Sequence, residues 1–270
     1  MAHVPKPEAG SFDISTGTAE LTHDGVGGWL LTVNGAQSSH IDPFDPTTLE
    51  FEYMRQMTAV IDDAHPDPQT PLRVLHLGAA ACALPAALAH RYPRSRHVAV
   101  EIDAELARLA REWFDLPRAP RLRIRVGDAR EVVESLTEHT RDIVIRDVFA
   151  ESLTPDHLKT VEFTAAVRRL LAPGGLYLAN CGDRRDLKSV RREISTIAEV
   201  FPRVELIADP SMFNGRRSGN IVVVAGDGPL PDSPQLQRIL RSDPEPSRLI
   251  AGDAAVEFAR RAPALHDQPG

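Results

Sequence analysis

Leu72-Arg73-Val74-Leu75-His76-Leu77-Gly78-Ala79-Ala80-Ala81-Cys82-Ala83 opens the unit that decides the fold. Residues 73–77 are a short apolar run cut off at Gly78; small residues follow, and a helical pattern then runs to about Arg91. A second apolar run, His97-Val98-Ala99-Val100, ends in Glu101-Ile102-Asp103. The spacing predicts strand, tight turn, helix and strand, with an acid at the tip of the second strand. Such a unit suits an adenosine-type ligand. Small residues let the backbone and the helix N-terminus come close, and the acid can accept hydrogen bonds from ribose hydroxyls. One glycine stands where a dinucleotide fingerprint wants three, so a pyrophosphate cradle is poorly supported. A ligand with ribose and no phosphate, such as S-adenosylmethionine or a relative, asks less of the loop. An ordinary βαβ unit without ligand is the plainer alternative. Glu101 weighs against it, because a carboxylate closing a buried strand has few purely structural uses.

Downstream the alternation repeats. A helix is predicted over 104–114, with Asp103 as its N-cap, and a strand over 122–126 ending at Gly127-Asp128. A short helix at 130–136 leads to a strand at 142–145 ending at Asp147, then to a helix at 155–171 stopped by Ala172-Pro173-Gly174-Gly175. A strand at 176–179, a helix at 187–201 and strands at 204–208 and 219–225 complete the body, the last two reading as an antiparallel hairpin edge. This order predicts a parallel sheet covered by helices on both faces.

Upstream the period changes to two. Runs at 19–23, 29–33 and 36–40, separated by Asp24-Gly25 and Asn34-Gly35, predict a small antiparallel sheet. A helix is expected over 47–64, with Leu49, Tyr53, Met57, Val60 and Ile61 on one face. The expected domains are a disordered segment at 1–11, a β-hairpin subdomain at 12–46, a Rossmann-like nucleoside-binding domain at 47–228, and a tail at 229–270 with helical patterns at 235–240 and 254–261.

The totals set bounds. A formal charge of −7 over 270 residues argues against nucleic acid or an anionic membrane as partner. Cys82 and Cys181 read as small, reduced core residues, and the ten histidines form no HxH or HExxH pair, so no metal is expected. No apolar window is long enough to span a membrane and no secretory signal is visible, which makes the cytoplasm the expected compartment.

Four successive strands end in Gly78, Glu101, Asp128 and Asp147. Ligands of open parallel sheets lie beyond the carboxyl ends of the strands. The four positions then serve, in order, for close approach, ribose, adenine amino group and reaction centre. His76 reads as a core histidine, Trp29 and Trp113 as packing residues, and Arg184-Arg185 and Arg191-Arg192 as a solvated helix entrance and face. Strand alternation sends Arg146 to the side opposite Asp147. Arg216-Arg217 reads as surface loop, with an anionic substrate as the alternative.

From Asn34 to Ala225 the chain resembles the spermidine synthase (polyamine aminopropyltransferase) family, a variant of the S-adenosylmethionine methyltransferase fold. The marks are Asn34-Gly35-Ala36-Gln37, Phe51-Glu52-Tyr53, Val74-Leu75-His76-Leu77-Gly78, Glu101-Ile102-Asp103, Gly127-Asp128-Ala129, Asp142-Ile143-Val144-Ile145-Arg146-Asp147 and Pro173-Gly174-Gly175. The resemblance implies an α/β fold: a Rossmann-like, mostly parallel sheet of the S-adenosylmethionine methyltransferase type with a small N-terminal antiparallel β subdomain. It implies that Gln37, Gly78, Glu101, Asp128 and Ala129 hold S-adenosylmethionine or its decarboxylated form. It also implies that Asp147 serves the attacking amine and that Tyr53 places the substrates. The implied partners are a small amine or other small nucleophile and a second copy of the chain.

Three positions depart from the family pattern. Ala81, Ala150 and Phe213 stand where the family carries amine-binding aspartates and a tyrosine. Losing two charge-assisted hydrogen bonds costs about 3–6 kcal/mol, or roughly 10²–10⁴ in affinity or rate. Alkyl (aminopropyl) transfer to an amine is therefore expected with polyamine activity weakened. The alternatives are an S-adenosylmethionine-dependent methyltransferase and a non-catalytic nucleoside-binding or assembly protein.

Overall fold

The computed structural model describes residues 7–150, 153–259 and 262–268. The N-terminal sheet has four antiparallel strands in chain order, β1 (Gly10–Ile14), β2 (Gly17–His23), β3 (Trp29–Val33) and β4 (Ala36–Ile41). β1 adds a strand ahead of the expected hairpins: Gly10 and Ser11, expected in a disordered segment, pair with Leu21 and Glu20. Residues 1–6 of that segment lie outside the described residues. The sheet's inner face, with Leu21, Trp29 and Leu31, packs on Leu106, Leu109 and Trp113.

α1 (Glu52–Ala64) starts five residues later than its periodicity indicates. Asp45 accepts hydrogen bonds from Thr47 N and from both neighbouring threonine hydroxyls, so residues 45–48 form a side-chain-closed turn that competes with the helix. The body follows as β5 (Arg73–Leu77), α2 (Ala83–Arg91), β6 (Arg96–Glu101), α3 (Ala104–Trp113), β7 (Leu122–Val126), α4 (Ala129–Ser135), β8 (Arg141–Arg146), α5 (Val161–Leu170), β9 (Leu171–Asp183), α6 (Lys188–Val200), β10 (Arg203–Ala208), α7 (Pro210–Phe213), β11 (Gly219–Gly226), α8 (Pro234–Ser242), β12 (Arg248–Ile250) and α9 (Asp253–Phe258). The eight-stranded sheet runs β12-β10-β11-β9-β8-β5-β6-β7. β9, β8, β5, β6 and β7 are parallel, while β11, β10 and β12 join antiparallel.

Several boundaries differ from the sequence expectation, each for a local reason. α5 begins at Val161 because Thr160 caps it, while Asp156–Leu158 form a separate 3-10 turn. Pro173-Gly174-Gly175 does not end an element before β9 but is an irregularity within it, where the pairing with β8 jumps and Gly174 takes φ +79°. β12 pairs with β10, so β10 and β11 are not the sheet edge. The C-terminal segment is also tied down: Val161 N donates to Leu265 O at 2.7 Å, Leu265 N to Thr196 Oγ1 at 2.8 Å, and Arg130 grips Asp267. Of the helical pattern expected at 254–261, residues 260–261 lie outside the described residues.

One face of the sheet packs on α4, α5, α6 and α9 through Val133, Phe163, Val167, Ile194 and Ala255. The other packs on α1, α2 and α8 through Met57, Val60, Leu84, Leu88 and Leu236. Chain order reverses between β5 and β8, so their carboxyl ends diverge into the crevice where open α/β sheets hold ligands. Among the described residues, no helix is long and apolar enough to cross a membrane.

Candidate functional site

A cleft of about 850 Å³ runs along that rim of the sheet. All seven residues singled out from the sequence line it: Gln37, Tyr53, Gly78, Glu101, Asp128, Ala129 and Asp147. Gly78 sits at the seam. Its φ of +91° is left-handed, and a Cβ there would lie 2.1 Å from the Asp147 carbonyl oxygen. Only glycine lets β5 turn this close to the end of β8.

On one side of the seam, Glu101 is 9% exposed and its carboxylate is already engaged. Ala79 N and Ala80 N donate to Oε2 at 3.3 and 2.8 Å, and Asp103 N donates to Oε1 at 3.1 Å. Burial raises its pKa above the ordinary value, and the three amides limit the rise. Glu101 thus fixes the Gly78 loop and keeps spare lone pairs facing the cleft. Beside it Ile102 is 60% exposed and offers an apolar plate.

Asp128 caps α4, accepting from Arg130 N at 2.8 Å and Glu131 N at 3.1 Å. Its other oxygen meets His157 Nε2 at 2.9 Å. Burial would raise the Asp128 pKa, but His157 and the two amides together hold it below the ordinary value. Ala129, buried, is the first residue of the capped helix, and exposed Gln37 faces the same space from β4. Asp103 caps α3 as expected and also accepts from Thr16 N and Oγ1 at 2.6 and 2.8 Å, which ties the N-terminal sheet to the tip of β6.

On the other side, Asp147 is held from two directions. Tyr53 Oη donates to Oδ2 at 3.0 Å and Asn180 Nδ2 donates to Oδ1 at 2.9 Å. Burial raises the Asp147 pKa; the hydrogen bonds from Asn180 and Tyr53 and the charge of Arg146 moderate it. The Tyr53 phenol is pushed well above its ordinary pKa by burial and by the Asp147 charge, so it stays a donor. A carboxylate more basic than usual is better suited to take a proton from an alkylammonium.

Arg146 lies on the opposite face, as alternation requires. It donates to Leu158 O at 2.8 Å and pairs with buried Glu193, beside Cys181. His76 is buried and shares a hydrogen bond of 3.1 Å with His97. Trp29 and Trp113 are core residues.

The structure corrects the placing of two departures. Ala81 is fully buried, its amide donating to Ser39 Oγ, and Phe213 packs edge-on against Phe258; neither lines the cleft, whereas Ala150 does. Asn180, His157 and Ile102 were not found from the sequence. Asn180 and Ile102 directly end or follow predicted strands, a signal that was available; His157 had none. Among the described residues, no group of three His, Cys, Asp or Glu side chains could hold a metal ion.

Residues 75–179 match the family model of the methyltransferase domain. The chain is 45% identical to a probable spermidine synthase from Corynebacterium glutamicum, whose crystal structure it matches over 98% of both chains with a TM-score of 0.92. It is 30% identical over 199 residues to the polyamine aminopropyltransferase of Vibrio vulnificus, covering 73% of this chain and 62% of that protein's length. Human methyltransferase-like protein 13, solved in complex with SAH, shares the fold at 21% identity and a TM-score of 0.58, over 80% of this chain and 96% of that one. With near full-length identity of this degree to one member, and a cleft assembled from the motifs that mark the group, the chain belongs to the spermidine-synthase-like family, on the S-adenosylmethionine methyltransferase fold.

Proposed function

We propose that this chain binds an adenosyl sulfonium donor, S-adenosylmethionine or its decarboxylated form, and passes an alkyl group from it to a small amine. The observation that carries the reading is Asp147, a carboxylate of raised pKa fixed by Tyr53 and Asn180 at the seam of the cleft. The donor set fits such a ligand. Glu101 offers acceptors for ribose hydroxyls, Asp128 an acceptor for an exocyclic amino group, and Ile102 an apolar face for the base.

Asp147 supplies what the chemistry lacks. An ammonium has no lone pair, so the acceptor must lose a proton before its nitrogen attacks the carbon beside sulfur. The proton passes to Asp147, the C–N bond forms, the C–S bond breaks, and the electron pair stays on sulfur as a neutral thioether. Tyr53 and Asn180 hold the carboxylate still while this happens.

The decisive test is mass spectrometry of purified chain with each donor and a panel of amines. Release of methylthioadenosine or S-adenosylhomocysteine with an alkylated amine supports the reading. No product, together with no rise in melting temperature at millimolar thioether nucleoside, sinks it.

Methyl transfer is the second reading. In the cleft the loop after β5 presents Ala79 and Ala80 and no acid, so it would not repel the carboxylate of intact S-adenosylmethionine. Tighter binding of the carboxylated than of the decarboxylated donor supports it. We further propose a cytoplasmic homodimer formed through the N-terminal sheet; light scattering reporting a monomer overturns that assembly.

A further inference from the structure

The acceptor half of the cleft has a charge pattern of its own. Beyond Asp147 it is lined by Phe149, Asn180, Asp183, Arg184 and Asn220. Asp183 is held at the turn into α6, where Arg184 N donates to its Oδ1 at 2.7 Å and Val190 N to its Oδ2 at 2.8 Å. Arg184 is exposed, and its guanidinium makes no ion pair among the described residues. Arg217, the other nearby candidate, is engaged with Asp209. Among the described residues, this end of the cleft therefore presents Arg184 as a cation without an ion pair, beside an Asp183 carboxylate tied to two backbone amides.

Asn180 defines where that amine goes. It is 1% exposed and its Oδ1 has no partner, while its Nδ2 faces Asp147. Turning the amide over would set oxygen against a carboxylate oxygen, so the orientation is fixed by charge. A buried acceptor without a donor is unfavourable until an N–H arrives. A nitrogen beside Asp147 with more than one N–H could satisfy both groups.

We propose that the acceptor is an amine whose far end is anionic, an amino-carboxylate, with its nitrogen at Asp147 and Asn180 and its carboxylate on Arg184. A diamine would bring its second ammonium against a like charge, the Arg184 guanidinium. Arg184 offers a planar fork of donors that a carboxylate matches and an ammonium cannot. This inference rests on the transfer reading above.

The test uses the full chain, the donor that supports turnover, and two probes of equal length, 4-aminobutanoate and 1,4-diaminobutane, with thioether release as readout. The expected result is a kcat/KM about 10-fold higher for the aminobutanoate, the size of one charge-assisted hydrogen bond. Arg184→Glu is expected to reverse the preference, chiefly through KM, without changing the melting temperature. Equal or faster release with the diamine overturns the proposal alone, as does Arg184→Glu leaving the preference intact. No release with any amine overturns the transfer reading and this one together.

Discussion

The two halves of the cleft are built on opposite principles. On the β5-β6-β7 side, Glu101 and Asp128 each spend lone pairs on backbone amides, so the acids that would read a nucleoside also hold a loop and a helix in place. On the β8-β9 side, Asp147 accepts from side chains only, Tyr53 and Asn180. The first half couples recognition to folding. The second can change its chemistry at little cost to stability. On the proposed reading, this division would let the donor site stay fixed while the acceptor site varies, and Ala150 lines the cleft.

Asp147→Asn should show the largest effect. Transfer is expected to fall by about 10²–10⁴, the usual worth of a positioned general base, with thioether-nucleoside binding kept and the melting temperature nearly unchanged. In the unmodified chain the raised Asp147 pKa shifts the acid limb of kcat/KM upward from the ordinary aspartate value, and activity is lost as pH falls through it. A large loss of stability in Asp147→Asn would erase the contrast between the halves.

Gly78→Ala strikes the seam. The added methyl meets the Asp147 carbonyl and the φ is unfavourable, so a loss of about 2–4 kcal/mol in chemical denaturation is expected, along with poor activity. Unchanged stability would mean that the two strand ends can part freely.

Glu205 provides a carboxylate outside both halves. It is buried, its Oε2 has no partner, and burial with the nearby charge of Asp232 pushes its pKa up to about 7. A folded-state value above the unfolded one favours the protonated form, so stability falls as pH rises from roughly 4.5 to 7 and is level beyond. Glu205→Gln should add about 1–3 kcal/mol at pH 8 and nothing below pH 4.5, read as melting temperature against pH. A flat difference across pH removes the assigned cause.

Asp128→Ala gives the smallest expected change, about 0.5–2 kcal/mol of stability from the lost cap of α4, with weaker nucleoside binding. Weaker binding at full stability would show that cap and ligand contact are separable, against the coupling drawn above.

The β5-β6-β7 half of the cleft was largely legible in the sequence because its signals are local. A strand end, a glycine and an N-capping acid lie within a few residues of one another, and Gly78, Glu101, Asp128 and Ala129 all line the cleft. The β8-β9 half depends on distance. Tyr53 reaches Asp147 across 94 residues and Asn180 across 33, and periodicity does not reveal which side chains such separations join. Tyr53 was found through the family resemblance; Asn180 was not found. Element boundaries failed where side chains bonded to nearby backbone, as at Asp45 and Thr160, because these local contacts compete with the helix. β12 was missed because three residues are too few to show alternation.

Adjacent Arg146 and Asp147 carry a consequence for how the chain finds its pairing. A slip of β8 by one residue would swing the guanidinium into the cleft and thrust the carboxylate among Leu158, Cys181 and Glu193. Arg146 would lose its ion-pair partner and Asp147 its two hydrogen-bond donors, and two acids would face each other away from water. The opposed signs at the strand's tip thus act as a proofreading mark, making the nearest wrong alignment far costlier than any loss of packing alone.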